Sequence, residues 1–156
     1  MNNPTPHTCL IGLGSPHGDD QFGWAVVDRL ATMELSHVTL TKSEHPVDIL
    51  GVLDANERVI VVDAAEGLPP DEPIRKLQIA NEIDIRFFHE TPHRGTHDMG
   101  LESVFRLARS LKKPTDHVTL WVGNGEQFEP FSLMSATTQS NSVRCAELIA
   151  SEVSDA

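Results

Sequence analysis

The sequence predicts an α/β protein, a single domain over residues 1–156 built on a twisted, mostly parallel, doubly wound sheet with helices on both faces. Three observations predict it. Runs such as Val59-Ile60-Val61-Val62 are too apolar for a strand that faces water on one side, and want a sheet covered on both. These runs alternate with segments whose apolar residues recur at helical spacing. Gly and Pro clusters punctuate them without any repeat, low-complexity tract or linker that would divide the chain. A chain of 156 residues is long enough to bury a continuous core without staples.

Taken in order, His7 to Leu13 reads as a first strand, buried on both faces. It enters the turn Gly12-Leu13-Gly14-Ser15-Pro16-His17-Gly18, which delivers Asp19 and Asp20 to the start of a helix running from about Asp20 to Met33. Phe22, Val26, Leu30 and Met33 form that helix's inner stripe. His37 to Leu40 is a short second strand, and Val47 to Leu53, started by Pro46, a helix with Ile49, Leu50 and Leu53 inward. Arg58 to Ala65 is the strongest strand signal in the chain, and it ends in a carboxylate, Asp63. Glu66 to Pro73 is a loop, and Ile74 to Ile79 an added strand at an edge. Asn81 to Glu90 reads equally as strand or irregular loop.

The next helix opens at Thr96-His97-Asp98, with Thr96 as its cap and Leu101, Val104, Phe105, Ala108 and Leu111 as its buried stripe. Lys112-Lys113-Pro114 closes it, basic residues at the negative end and then a breaker. His117 to Val122 is another strand, Gly123 to Ser135 a loop with scattered Phe, and Thr138 to Val153 a last helix using Val143, Ala146, Ile149 and Val153.

Charge narrows the partners. With 23 acidic residues against 12 Lys plus Arg, a net charge of −11 opposes binding to nucleic acid or to an anionic membrane surface. Neutral, basic or metal-bearing partners fit better. Residues 1–7 lack the basic and apolar regions of a secretory leader, and no window approaches a membrane span, so the expectation is a cytoplasmic protein. Cys9 and Cys145 fall in apolar elements without metal-ligand spacing and read as small buried hydrophobes.

In a doubly wound sheet, functional groups gather beyond the carboxyl ends of the strands. Asp20 follows the first strand, Asp63 ends the strongest one, and His97 stands at the first turn of a later helix. Two carboxylates and an imidazole on one rim suit a divalent metal such as zinc or nickel, and equally an acid and base pair assisted by histidine. The bland alternative is that Asp19 caps the helix, Asp20 complements its dipole, Asp63 caps a turn and His97 is solvated. A dinucleotide loop fits poorly, because the third Gly comes one residue late and Asp19-Asp20 would repel a pyrophosphate. His17, His89 and His93 also fall in rim loops, where each could add or orient a ligand, and Phe128 and Phe131 could touch a protein partner.

Gly12-Leu13-Gly14-Ser15 with Gly18-Asp19-Asp20 and Gly23, then Val59-Ile60-Val61-Val62-Asp63-Ala64, then Thr96-His97-Asp98-Met99-Gly100-Leu101, resemble in order and spacing the motifs of the hydrogenase maturation endopeptidases. The resemblance implies an aspartic or metal-dependent endopeptidase that removes the C-terminal tail of a nickel-iron hydrogenase large-subunit precursor. It assigns catalysis and metal binding to Asp20, Asp63 and His97. The implied metal is divalent, nickel carried by the substrate, with zinc or cadmium as surrogates. Ser15 stands where the family usually has Asn, and Pro16-His17 where it has apolar or basic residues. A non-catalytic maturation partner and another metal-assisted hydrolase on the same fold are the alternatives.

Overall fold

The computed structural model describes residues 7–80 and 100–154. Five strands, β1 (Thr8–Leu13), β2 (Val38–Ser43), β3 (Arg58–Glu66), β4 (Ile74–Gln78) and β5 (Val118–Gly125), form one sheet in the order β2-β1-β3-β5-β4. All neighbours are parallel except β4, which lies antiparallel to β5 at the edge. Among the described residues three helices, α1 (Phe22–Ala31), α2 (Leu101–Ser110) and α3 (Ala136–Ser154), pack on it. The α/β class, the mostly parallel sheet and its added edge strand therefore match the reading of the sequence.

The period of two along each strand sends side chains to two separate cores. Ile11, Leu13, Val59, Val61, Leu120 and Val122 face α2 and a short 3-10 turn, Pro46–Gly51. Leu10, Ile60, Val62 and Trp121 face α1 and α3. Both sides of β3 are thus apolar because both are covered. Phe22, Val26 and Leu30 on α1 are wholly buried, each such burial worth about 1.5–3 kcal/mol relative to exposure.

Several boundaries differ from expectation for local reasons. The first helix is preceded by a 3-10 turn, Gly18–Gln21, because the groups of Gly18 and Asp19 bond a distant loop. Val47 to Leu53 is not an α-helix. The six residues Pro46–Gly51, too few to sustain one, tighten into the 3-10 turn that buries Pro46 and Ile49 at a spacing of three. β5 runs on to Gly125 through glycines that read as loop: a Cβ at Gly123 would lie 2.2 Å from the Phe22 ring. Leu111 is 55% exposed and follows the last turn of α2 instead of joining its stripe. α2 begins after Gly100; Thr96 and the segment Asn81 to Glu90 lie outside the described residues. Among the described residues no helix is long and apolar enough to cross a membrane.

Two glycines seat α1 on the sheet. A Cβ on Gly12 would lie 2.3 Å from the Gly23 carbonyl oxygen, and one on Gly23 would lie 2.2 Å from that of Leu13 and 2.7 Å from that of Val62. Backbone meets backbone here, so no side chain can move aside, and the start of α1 is pressed over the ends of β1 and β3. Gly23→Ala is expected to destabilise by about 1–3 kcal/mol, read as a fall of several degrees in Tm. Gly51→Ala, where a Cβ meets nothing within 4 Å, should change stability by less than about 0.5 kcal/mol. Equal Tm values for the two variants would contradict this seating.

Candidate functional site

From β1 the chain moves to β2 on one side, and from β3 it goes on to β4 and β5 on the other, so the connections diverge between β1 and β3. Such a divergence leaves a crevice beyond the carboxyl ends of the two strands. Gly12 pairs with Val62, which puts Asp63 one position further, at the lip of that crevice. The turn after β1 reaches over it, tied down by the Gly14 amide donating to the Ser43 carbonyl (3.0 Å), the Trp24 indole donating to the same oxygen (3.2 Å), and the Ser15 amide donating to the Asp20 carbonyl (3.3 Å). The Ser15 hydroxyl donates to the Asp20 carboxylate.

Asp20 and Asp63 are brought together. Burial, first, and the negative charge of Asp20, second, push the Asp63 carboxyl well above the usual carboxylate range, against one opposing hydrogen bond from the Ala64 amide at 2.8 Å. By strand alternation Asp63 lies on the face that packs α2. The last turn of α2 sits at the amino end of β5, where Arg109 donates to the Ile79 carbonyl (3.1 Å), so its Leu101 end looks toward the same rim as the carboxylates. His97, the third residue of the predicted site, lies outside the described residues, as do His89 and His93.

Asp19 is not a helix cap. It is fully buried, and its carboxylate accepts the amides of Glu126 (2.7 Å), Gln127 (3.0 Å) and Ser135 (2.7 Å) and the Ser135 hydroxyl (2.9 Å). Burial alone would raise its pKa, but these donors outweigh it and hold the carboxylate below its ordinary value. Ser135 also accepts the Thr138 amide (3.4 Å) and so caps α3. The turn depends on Gly18, whose φ is 56° and whose Cβ would lie 2.3 Å from the Gln127 carbonyl oxygen. Sequence reasoning missed this clamp; the signals available were a Ser three residues before Thr138 and two adjacent acids, which cannot easily serve one site together.

His17 is likewise committed elsewhere. Its Nδ1 accepts the Phe131 amide at 3.0 Å, with the two rings edge to face at 4.7 Å. A neutral imidazole with that lone pair engaged carries its proton on Nε2 and has no lone pair left for a metal, so the extra ligand considered for the turn is a loop anchor. Cys9 and Cys145 are buried and unpaired, burial pushing the Cys145 thiol up to about 12 and that of Cys9 upward too, so neither is poised as a nucleophile.

Comparison with known proteins finds no matching family model and no matching curated protein. Solved structures do match. A NiFe hydrogenase maturation protease, HycI from Thermococcus kodakarensis KOD1, is 23% identical with a TM-score of 0.71 over 95% of this chain and 92% of its own. The hydrogenase maturating endopeptidase HybD from E. coli is 18% identical, with a TM-score of 0.74 over 96% and 93%. HybD from Thermococcus kodakarensis is 20% identical, with a TM-score of 0.66 over 94% and 98%. At these identities the likeness shows the fold, across nearly the whole of each chain.

The two carboxylates predict opposite pH behaviour. Asp19, lowered in the fold, contributes stability that is present above its unfolded pKa of about 3.9 and lost as pH falls through its folded value. Asp19→Asn, which turns an amide NH2 toward backbone donors, should cost about 3 kcal/mol or more at pH 7 by urea denaturation, and less at pH 3. Asp63, raised in the fold, costs stability as pH rises from about 3.9 through its folded value, so metal-free Asp63→Asn should melt above wild type at pH 7, with the gap closing toward pH 4. A gap independent of pH would contradict the assignment.

Proposed function

We propose that the protein is an endopeptidase that removes the C-terminal tail of a nickel-loaded hydrogenase large-subunit precursor, working through Asp20, Asp63 and His97. The observation that carries this reading is the Asp20 and Asp63 pair at the divergence of the sheet, in a fold shared with hydrogenase maturation proteases over nearly the whole chain. The pair is chemically suited to a cation. Burial and mutual repulsion both penalise its negative charge, and a divalent ion between the carboxylates would relieve both. Carboxylate oxygens and one imidazole are a donor set that nickel accepts.

Nickel arrives as part of the substrate. Asp20 and Asp63 hold it through their oxygens and His97 through a ring nitrogen, which registers the precursor as loaded and sets its peptide chain over the rim. A water adds to the scissile carbonyl, its proton passing to a carboxylate as the C–O bond forms. The C–N bond then breaks, and the leaving amine takes a proton. A carboxylate of the site makes that exchange, and such acid–base assistance contributes on the order of 10²–10⁴ in rate. Two buried, unpaired cysteines support a reducing, cytoplasmic setting, and the net charge of −11 supports a protein rather than a nucleic-acid substrate.

Incubating purified protein with nickel-loaded and nickel-free precursor, and weighing the products by mass spectrometry, tests this. Wild type should shorten only the loaded precursor, whereas Asp20→Asn and Asp63→Asn should bind it with kcat reduced at least about 100-fold. Undiminished cutting by Asp63→Asn would remove the catalytic assignment, and a wild type that binds without cutting would make the protein a maturation partner.

A further inference from the structure

Among the described residues, the two most exposed large hydrophobics are Phe131 (80%) and Leu133 (86%), two positions apart on the loop between β5 and α3. Phe128, in the same loop, turns inward, its ring 2.5 Å from where a Gly125 Cβ would stand. Phe131 holds a φ of 56°, a left-handed backbone that a bulky residue rarely adopts. The neighbourhood holds it there: His17 accepts its amide, the Gln127 side chain donates to the Leu133 carbonyl (3.2 Å), and Gln21 donates to the Ser132 carbonyl (3.1 Å).

The anchors of this loop are the residues around Asp20. His17, Gly18, Asp19 and Gln21 all bond to it, with the Gly18 amide donating to the Ser132 carbonyl at 3.1 Å and Asp19 gripping both of its ends. Loop and carboxylate turn are therefore fastened to each other. Beyond the edge-to-face contact of Phe131 with His17, this strained, fastened backbone presents an aromatic and a leucine to water, and preorganised apolar side chains are what anchor a protein partner. The surroundings are acidic. The sequence carries no Lys or Arg between Lys113 and Arg144, and Glu126 and Glu129 are exposed on the loop itself.

We propose that Phe131 and Leu133 form the docking plate for an extended segment of the precursor, apolar where it meets them and flanked by basic residues, and that this contact sets substrate choice beside the carboxylates. The inference rests on the endopeptidase reading and adds to it the part of the surface that selects the substrate.

Steady-state cleavage of nickel-loaded precursor by Phe131→Ser/Leu133→Ser tests it, with Tm and sedimentation measured on the same samples. The double variant should raise KM at least tenfold with kcat within about threefold of wild type and Tm unchanged, while Phe131→Leu/Leu133→Met, which keeps the plate apolar, should hold KM within about threefold. An unchanged KM overturns the proposal, as does a fall in kcat alone. A dimer that dissociates in the double variant while KM stays constant also overturns it, and assigns the plate to self-association. A wild type that leaves the loaded precursor uncut refutes the endopeptidase reading itself, and the docking inference with it; the two failures are thus distinguishable.

Discussion

The negative charge of Asp20 acts on the half-buried, desolvated Asp63, and the geometry of the rest of the site follows from keeping those two groups together. They stand 43 positions apart in the chain. What closes the distance is backbone contact: Gly12 and Gly23 let α1 settle on β1 and β3 so closely that neither position has room for a methyl group. The pairing opposes folding, because burial and repulsion both disfavour the charged state of Asp63. A local arrangement that costs stability and is held by tight surroundings is characteristic of a functional site.

Adjacent aspartates in this turn have opposite physical roles. Asp19 is buried without repulsion because three amides and a hydroxyl donate to it, and it binds the loop that precedes α3 to the turn that follows β1. Asp20 receives the Ser15 hydroxyl and faces another acid. Environment alone makes one carboxylate a rivet and sets its neighbour against a second acid. Because His17, Gly18, Asp19 and Gln21 all hold the loop carrying Phe131 and Leu133, the surface that would meet a partner and the carboxylate that would act on it belong to one unit.

The fold was legible where apolar periodicity is strong. β3, with four β-branched residues in a row, and α1, with Phe22, Val26 and Leu30 on one stripe, stand where the pattern put them. Asp20 and Asp63 were legible as a pair because a doubly wound topology places the ends of β1 and β3 side by side. Glycine was misleading at Gly123 and Gly125, where it serves close packing inside a strand rather than a turn. The Asp19 clamp was not legible, since its partners lie 107 to 116 residues away and are mostly backbone amides, which have no residue signature. His17 read as a candidate ligand because nothing local reveals that its Nδ1 is taken by Phe131.

The electrostatic contact between Asp20 and Asp63 can be measured without any substrate. Following the Asp63 side-chain carboxyl by carbon-13 NMR across pH, in metal-free wild type and in Asp20→Asn, reads it directly. A titration midpoint above the normal aspartate range is expected in wild type, and a distinctly lower one once Asp20 is neutral. A midpoint that Asp20→Asn leaves in place would mean that the two carboxylates do not share a pocket.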